Sequence, residues 1–179
     1  MAAVLMSGVV AARVEAATIA IIPLINKVEF QSAEEEQVPN QIFNNQALAV
    51  IKNKPGYMLV ENERLRHAVK ENIDPYTLPT KEQLAVVSKK GNVDIVLAME
   101  LTNYALRVPD RQGDTRMVIV DVRGNLASYN RLTGKYVIKR CGDANEVDET
   151  FTSRWDLVQE DWNRLVRQEI DRITRTKKK

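Results

Sequence analysis

With one histidine and one cysteine in 179 residues, His67 and Cys141, the chain lacks the raw material for most side-chain chemistry. A nucleophile triad needs a base beside its Ser or Cys. His67 lies among Arg64, Arg66 and Lys70 with no G-x-S-x-G motif in the sequence, and so reads as a residue on a surface helix. One His and one Cys cannot build a zinc ligand set, and neither H-E-x-x-H nor C-x-x-C occurs. No internal disulfide can form, and a cysteine-poor chain fits either cytoplasm or periplasm. Glycine is also sparse, at seven residues, and dispersed; the one Gly-Lys pair, Gly134-Lys135, falls in a hairpin loop rather than before a helix, so no phosphate-cradling loop is present. Neither charge sign dominates: 26 Lys and Arg stand against 24 Asp and Glu, which gives no field for nucleic acid. No apolar run reaches the roughly 20 residues of a stable membrane span.

What the chain does have is an uncharged apolar run from Ala2 to Ala12, followed at once by Arg13-Val14-Glu15-Ala16-Ala17. An apolar stretch of about 7 to 15 residues before small residues at a cleavage site is the pattern of a signal peptide, and Val14-Glu15-Ala16 supplies the site. No Lys or Arg precedes the run, which a misassigned start codon would explain; the competing reading is an apolar helix or strand packed on the domain. No cysteine lies near the cleavage site to carry a lipid anchor. Residues 1–17 are therefore expected to be a signal peptide, 18–176 a single α/β domain, and 177–179 a basic tail.

Within that domain, Thr18 to Ile25 is apolar on both faces, as a central buried strand requires. Ser32 with Glu35 and then Pro39 mark the start of a helix whose body is Asn40 to Asn53, with Phe43, Ala47, Val50 and Ile51 on one face. Pro55-Gly56 ends it before a short strand, Tyr57 to Glu61. Asn62 to Asn72 reads as a solvated helix with a narrow buried stripe. Two Xaa-Pro breaks follow, and Thr80 with Gln83 forms the capping box of a helix over Lys81 to Lys90 that Gly91 ends in the left-handed conformation. A strand from Val93 emerges from the core, the long strand Met117 to Tyr129 carries Gly124 as a bulge or bend, and a strand at Tyr136 to Arg140 completes a meander. From about Ser153 a helix carries Trp155, Val158, Trp162, Leu165, Val166, Ile170 and Ile173 on one stripe, a clasp across the sheet. The expected fold is α/β with an α+β tendency: a mixed five-stranded sheet in the order βαβααβββα with helices packed on it.

Local marks of a site are few. Asp143, Glu146, Asp148 and Glu149 lack the spacing of an EF-hand and read as a charged surface loop. Glu29, Glu100 and Asp121 could converge as acid and base, but nothing local marks them. No residue is assigned a catalytic, cofactor-binding or metal-binding role.

Three phrases carry a resemblance: Ile19-Ala20-Ile21-Ile22-Pro23-Leu24, Asn92-Val93-Asp94-Ile95-Val96-Leu97 and Tyr129-Asn130-Arg131-Leu132-Thr133-Gly134-Lys135. In their order along the chain they resemble the periplasmic α/β domains of the TolB amino-terminal part, penicillin-binding-protein activator lipoproteins and the curli secretion subunit CsgG, over about Thr18 to Ile173. The resemblance implies a non-enzymatic, extracytoplasmic envelope domain that binds an envelope protein or associates with itself. No catalytic residue carries over. The chain departs from the lipoproteins in having no lipid-attachment cysteine, and from TolB in having no propeller. The reading from another class is a cytosolic small-ligand-binding or catalytic domain using the carboxyl ends of the buried strands, near Pro23 to Lys27 and Met99 to Thr102.

Overall fold

A computed structural model of the chain describes residues 16–107, 117–148 and 154–174. The strands are β1 (Ala17–Ile21), β2 (Ile25–Asn26), β3 (Tyr57–Leu59), β4 (Ile95–Arg107), β5 (Met117–Asn130) and β6 (Lys135–Asp148). The helices are α1 (Ala33–Lys52), α2 (Glu63–Asn72), α3 (Lys81–Gly91) and α4 (Arg154–Ile173). The strands form one mixed six-stranded sheet in the order β3-β1-β4-β5-β6, with β2 pairing on β4. β1 lies parallel to β3 and to β4, while β4, β5 and β6 are antiparallel neighbours. The expected five strands become six because Pro23 cannot donate to the ladder, so β1 ends before it and the chain resumes pairing as β2.

Helices cover both faces of the sheet. On one side Phe43, Ala47 and Ile51 of α1 and Val158, Trp162, Val166 and Ile170 of α4 pack on Ile19, Leu97, Met99, Leu101, Val120, Val122 and Leu126. On the other, Leu65 of α2 with Leu84 and Val87 of α3 packs on Ala20, Ile22, Val96, Ala98 and Ala127. Alternation along β1 and β4 feeds successive residues to opposite cores, which is why both strands read as unbroken apolar runs. α4 is the expected clasp: the Trp162 indole donates to the Pro39 carbonyl at 3.0 Å, tying α4 to α1 across 123 residues. The side chain of Trp155, the candidate signal peptide up to residue 15 and the tail 177–179 lie outside the described residues.

The helix starts follow their caps. The Ser32 hydroxyl accepts from Glu35 N, so α1 begins at Ala33 and Pro39 falls inside it, two turns earlier than the expected body. Thr80 and Gln83 make the full capping box of α3. Its left-handed residue is Asn92 (φ 51°) rather than Gly91. Gly91 is small for a different reason: a Cβ there would stand 2.8 Å from Leu65 Cδ1, so the glycine lets α2 and α3 approach. The bulge expected at Gly124 of β5 falls instead on its neighbour: β4 carries the extra residue, Thr102, between Leu101 and Asn103, and Gly124 lies opposite it. β6 overruns its expected end by eight residues, to Asp148, so the acidic stretch read as a loop is largely strand. It pairs one-to-one along the length of β5, and that partner was not visible in the local sequence.

Candidate interaction edge

The two edges of the sheet differ. β3 is three residues long and offers little backbone to a partner. β6 is 14 residues long and, among the described residues, pairs only with β5. Its first half combines exposure with rigidity. Val137 and Ile138 are 40% and 53% exposed, an uncommon placement for adjacent β-branched residues on an open edge. On either side of this pair the strand is tied down: Tyr136 donates its hydroxyl to the Pro79 carbonyl at 2.8 Å, and Lys139 donates to both carboxylate oxygens of Glu169 on α4. Burial, with Glu82 nearby, pushes the Tyr136 phenol up, so it stays a donor. Lys135 and Arg140 are exposed and have no ion-pair partner among the described residues.

Beside the edge lies a polar half-face. Past the bulge, Asn103 and Arg107 of β4 share one face with Asp121, Arg123 and Asn125 of β5. Asp121 has a side chain only 1% exposed, while Arg107 and Arg123, about 61% and 59% exposed, both donate to it. Burial alone would raise the Asp121 carboxyl; the hydrogen bonds from Arg123, Arg107 and Asn103 reverse that and hold it below its usual range. Glu100, also buried, accepts from Asn125 Nδ2 at 2.8 Å. The two carboxylates lie on separate stretches of the sheet, each satisfied by its own partners, and Glu29 sits exposed in the loop before α1. The three therefore do not converge as an acid–base pair. Asp121 and Arg123, two apart on one strand, were the signal for the arginine-carboxylate cluster; only its acid was singled out in the sequence, and Arg107 and Arg123 were missed.

His67 is exposed on α2. Cys141 is buried, its thiol 3.3 Å from the Gly124 carbonyl and pushed up to about 12 by burial, so it is no ready nucleophile. Among the described residues no three His, Cys, Asp or Glu side chains cluster as a metal site, and no helix is long and apolar enough to cross a membrane. The expected crevice past the carboxyl end of β1 is filled by the chain itself, since Ile25 and Asn26 pair there with Glu100 and Leu101, which lie in the middle of β4 rather than at its end. A groove of about 1130 Å³ runs along the outer seam of α1 and α4, crossed by the Lys54–Asp171 ion pair and lined by charges of both signs, including Glu160, Arg167 and Arg172, with amides such as Gln46 and Asn53 between them. The loop over residues 108–115 lies outside the described residues.

The three phrases of the resemblance pair side by side in the sheet, Ile19 with Ile95 and Ile95 with Asn130, and Thr18, just before the first phrase, ties them at one end. Asp94 Oδ2 accepts from the Thr18 backbone N–H (3.0 Å) and hydroxyl (2.8 Å), and Arg131 donates to Asp94 Oδ1 at 2.8 Å. The Arg131 N–H also donates to the Asp94 carbonyl at 2.7 Å. Arg131 and then Thr18 hold the Asp94 carboxyl below its usual range. This is a latch between β1, the entry to β4 and the β5–β6 turn.

No protein-family model matches the chain, and no curated protein matches it in sequence. Solved structures do. The hypothetical protein CT253 from Chlamydia trachomatis is similar over 88% of this chain and 95% of its own, with 12% identity and a TM-score of 0.58. Lipoprotein GNA1162 from Neisseria meningitidis (15% identity, 89% and 99% covered, TM-score 0.47) and the LpoB C-terminal domain from Salmonella enterica (12%, 75% and 84%, TM-score 0.37) are looser neighbours. Bacterial lipoproteins thus stand among the neighbours. The first likeness shows a shared fold, and the looser two carry nothing about role.

Proposed function

We propose that this chain is an exported, non-enzymatic domain of the bacterial cell envelope that acts by binding protein through the open edge of β6. The observation that carries the reading is the contrast of edges: one end of the sheet closes in a three-residue strand, while the other presents a long strand with Val137 and Ile138 exposed, one on each face. A sheet edge recognises its ligand by main-chain pairing, with side-chain pockets supplying selectivity, and needs no catalytic group. Export rests on the apolar run and small residues before Ala17, and the envelope setting on the resemblance of the three sequence phrases to the TolB amino-terminal, penicillin-binding-protein activator and CsgG domains.

A photo-crosslinking residue placed at Ile138 in living cells tests the binding reading, with the same residue at His67 on exposed α2 as control. The expected outcome is a discrete heavier band from position 138, absent from position 67 and lost when Val137→Lys is added. Equal labelling from both positions, or none from 138, would refute it.

A further inference from the structure

The chemistry of the β6 edge narrows what can pair with it, and the inference rests on the reading of β6 as the binding edge. From Arg131 to Gly142 the sequence carries four cations, Arg131, Lys135, Lys139 and Arg140, and no anion. Two of them are spent internally: Arg131 on Asp94 and Lys139 on Glu169. Lysines on an edge usually guard it against a second strand. Here the lysine nearest the apolar pair is turned onto α4, which leaves Val137 and Ile138 unguarded between the free charges of Lys135 and Arg140. Those two residues are five apart, about 17 Å along a strand.

We propose that β6 receives an extended segment of another protein with the pattern acidic, any, apolar, apolar, any, acidic. Antiparallel pairing places its two acids opposite Lys135 and Arg140 and its apolar pair opposite Val137 and Ile138. The pattern reads the same in both directions. A second copy of this chain fits poorly: two β6 edges pairing antiparallel keep their faces, so Val137 or Ile138 must meet its own copy, and in either register no acid stands opposite Lys135 or Arg140, because Arg131 to Gly142 holds none. The Tyr136–Pro79 and Lys139–Glu169 bonds hold the edge in strand geometry before anything binds, which lowers the ordering cost of docking.

The probe is a capped peptide containing Glu-Thr-Val-Val-Thr-Glu, titrated by fluorescence anisotropy against the full chain, beside Lys-Thr-Val-Val-Thr-Lys and Glu-Thr-Ser-Ser-Thr-Glu. The acidic apolar peptide should bind at least about tenfold tighter than either. The double variant K135E/R140E should invert the charge preference, and because both side chains are exposed it should fold as the parent does. Equal binding of acidic and basic peptides, or no binding of the acidic one up to about 1 mM, overturns the proposal. So does concentration-dependent dimerisation that Ile138→Lys abolishes, or charge-dependent binding to anionic phospholipid vesicles with no peptide binding. If the peptides fail while position 138 still crosslinks a protein in cells, β6 remains the binding edge and only this partner chemistry falls. If the crosslink fails too, the binding reading itself is lost.

Discussion

Asp121 shows how one residue can organise a face of this protein. A buried carboxylate is expensive unless paired and hydrogen-bonded, and here two guanidiniums lie over it with much of their own surface in water. The buried acid thereby orients exposed arginines, so its removal should cost stability chiefly through lost charge-assisted hydrogen bonds. Asp121→Asn keeps the shape and removes the charge, and we expect a loss of about 1.5–3 kcal/mol at pH 7. The sign with pH follows from the depressed carboxyl: its contribution is complete above the unfolded value, near pH 4, and disappears as pH falls through the folded one. Urea unfolding of parent and variant at pH 7, 5 and 3 should show a gap that is constant between the first two and narrowed at the third. A gap independent of pH would mean that the charge is not what stabilises the fold. Asp94, held low by Arg131 and Thr18, adds to the acid sensitivity of the parent with the same sign.

At the scale of elements, the bulge in β4 decides where the sheet changes character. Before it, the α3-facing side of β4 carries Val96 and Ala98 under the helices; beyond it, the same side carries Asn103 and Arg107 in the open. Gly124 sits opposite the bulge, where a Cβ would lie 2.4 Å from the Glu100 carbonyl oxygen, a backbone atom that cannot step aside. Gly124→Ala should therefore destabilise by about 2–3 kcal/mol through displaced backbone. Gly134→Ala, in a turn at φ +64° with open space around it, should lose only about 1 kcal/mol. Thermal or urea unfolding of the two variants checks the order, and equal losses would place the bulge elsewhere. Gly124 was legible in the sequence as a lone glycine in an apolar strand, as was α3 from its capping box, because both signals are local. The full length of β6 was not: Gly142 to Asp148 has the composition of a loop and becomes strand only because β5 lies beside it. The start of α1 was obscured by Pro39, whose missing N–H is tolerated inside a helix that Ser32 caps and Trp162 braces. The β6 edge itself was invisible for a related reason, since no local pattern says which strand of a meander ends the sheet.

For the whole molecule, the order of elements along the chain bears on export. The described fold begins at Ala17, whose N–H donates to the Gly56 carbonyl at 2.9 Å, and its first fully buried residue is Ile19. Both cores are closed by helices that follow β1: α1 and α4 over one face, α2 and α3 over the other. A cut after Ala16 would leave every described strand pair, the Asp94 latch and the α1–α4 clasp intact. The protein beginning at Ala17 should therefore unfold at the same midpoint as the full chain, within about 0.5 kcal/mol, and bind the acidic peptide equally well. If residues 1–16 were instead an apolar element of the domain, their removal would strip apolar contacts and lower the midpoint by more than 1 kcal/mol. The mass of the protein isolated from envelope fractions supplies the independent half of the test: a terminus at Ala17 joins export to the fold boundary. Under that outcome the exported domain would carry every described strand pair and, among the described residues, the unpaired edge of β6 on which the proposed binding role rests.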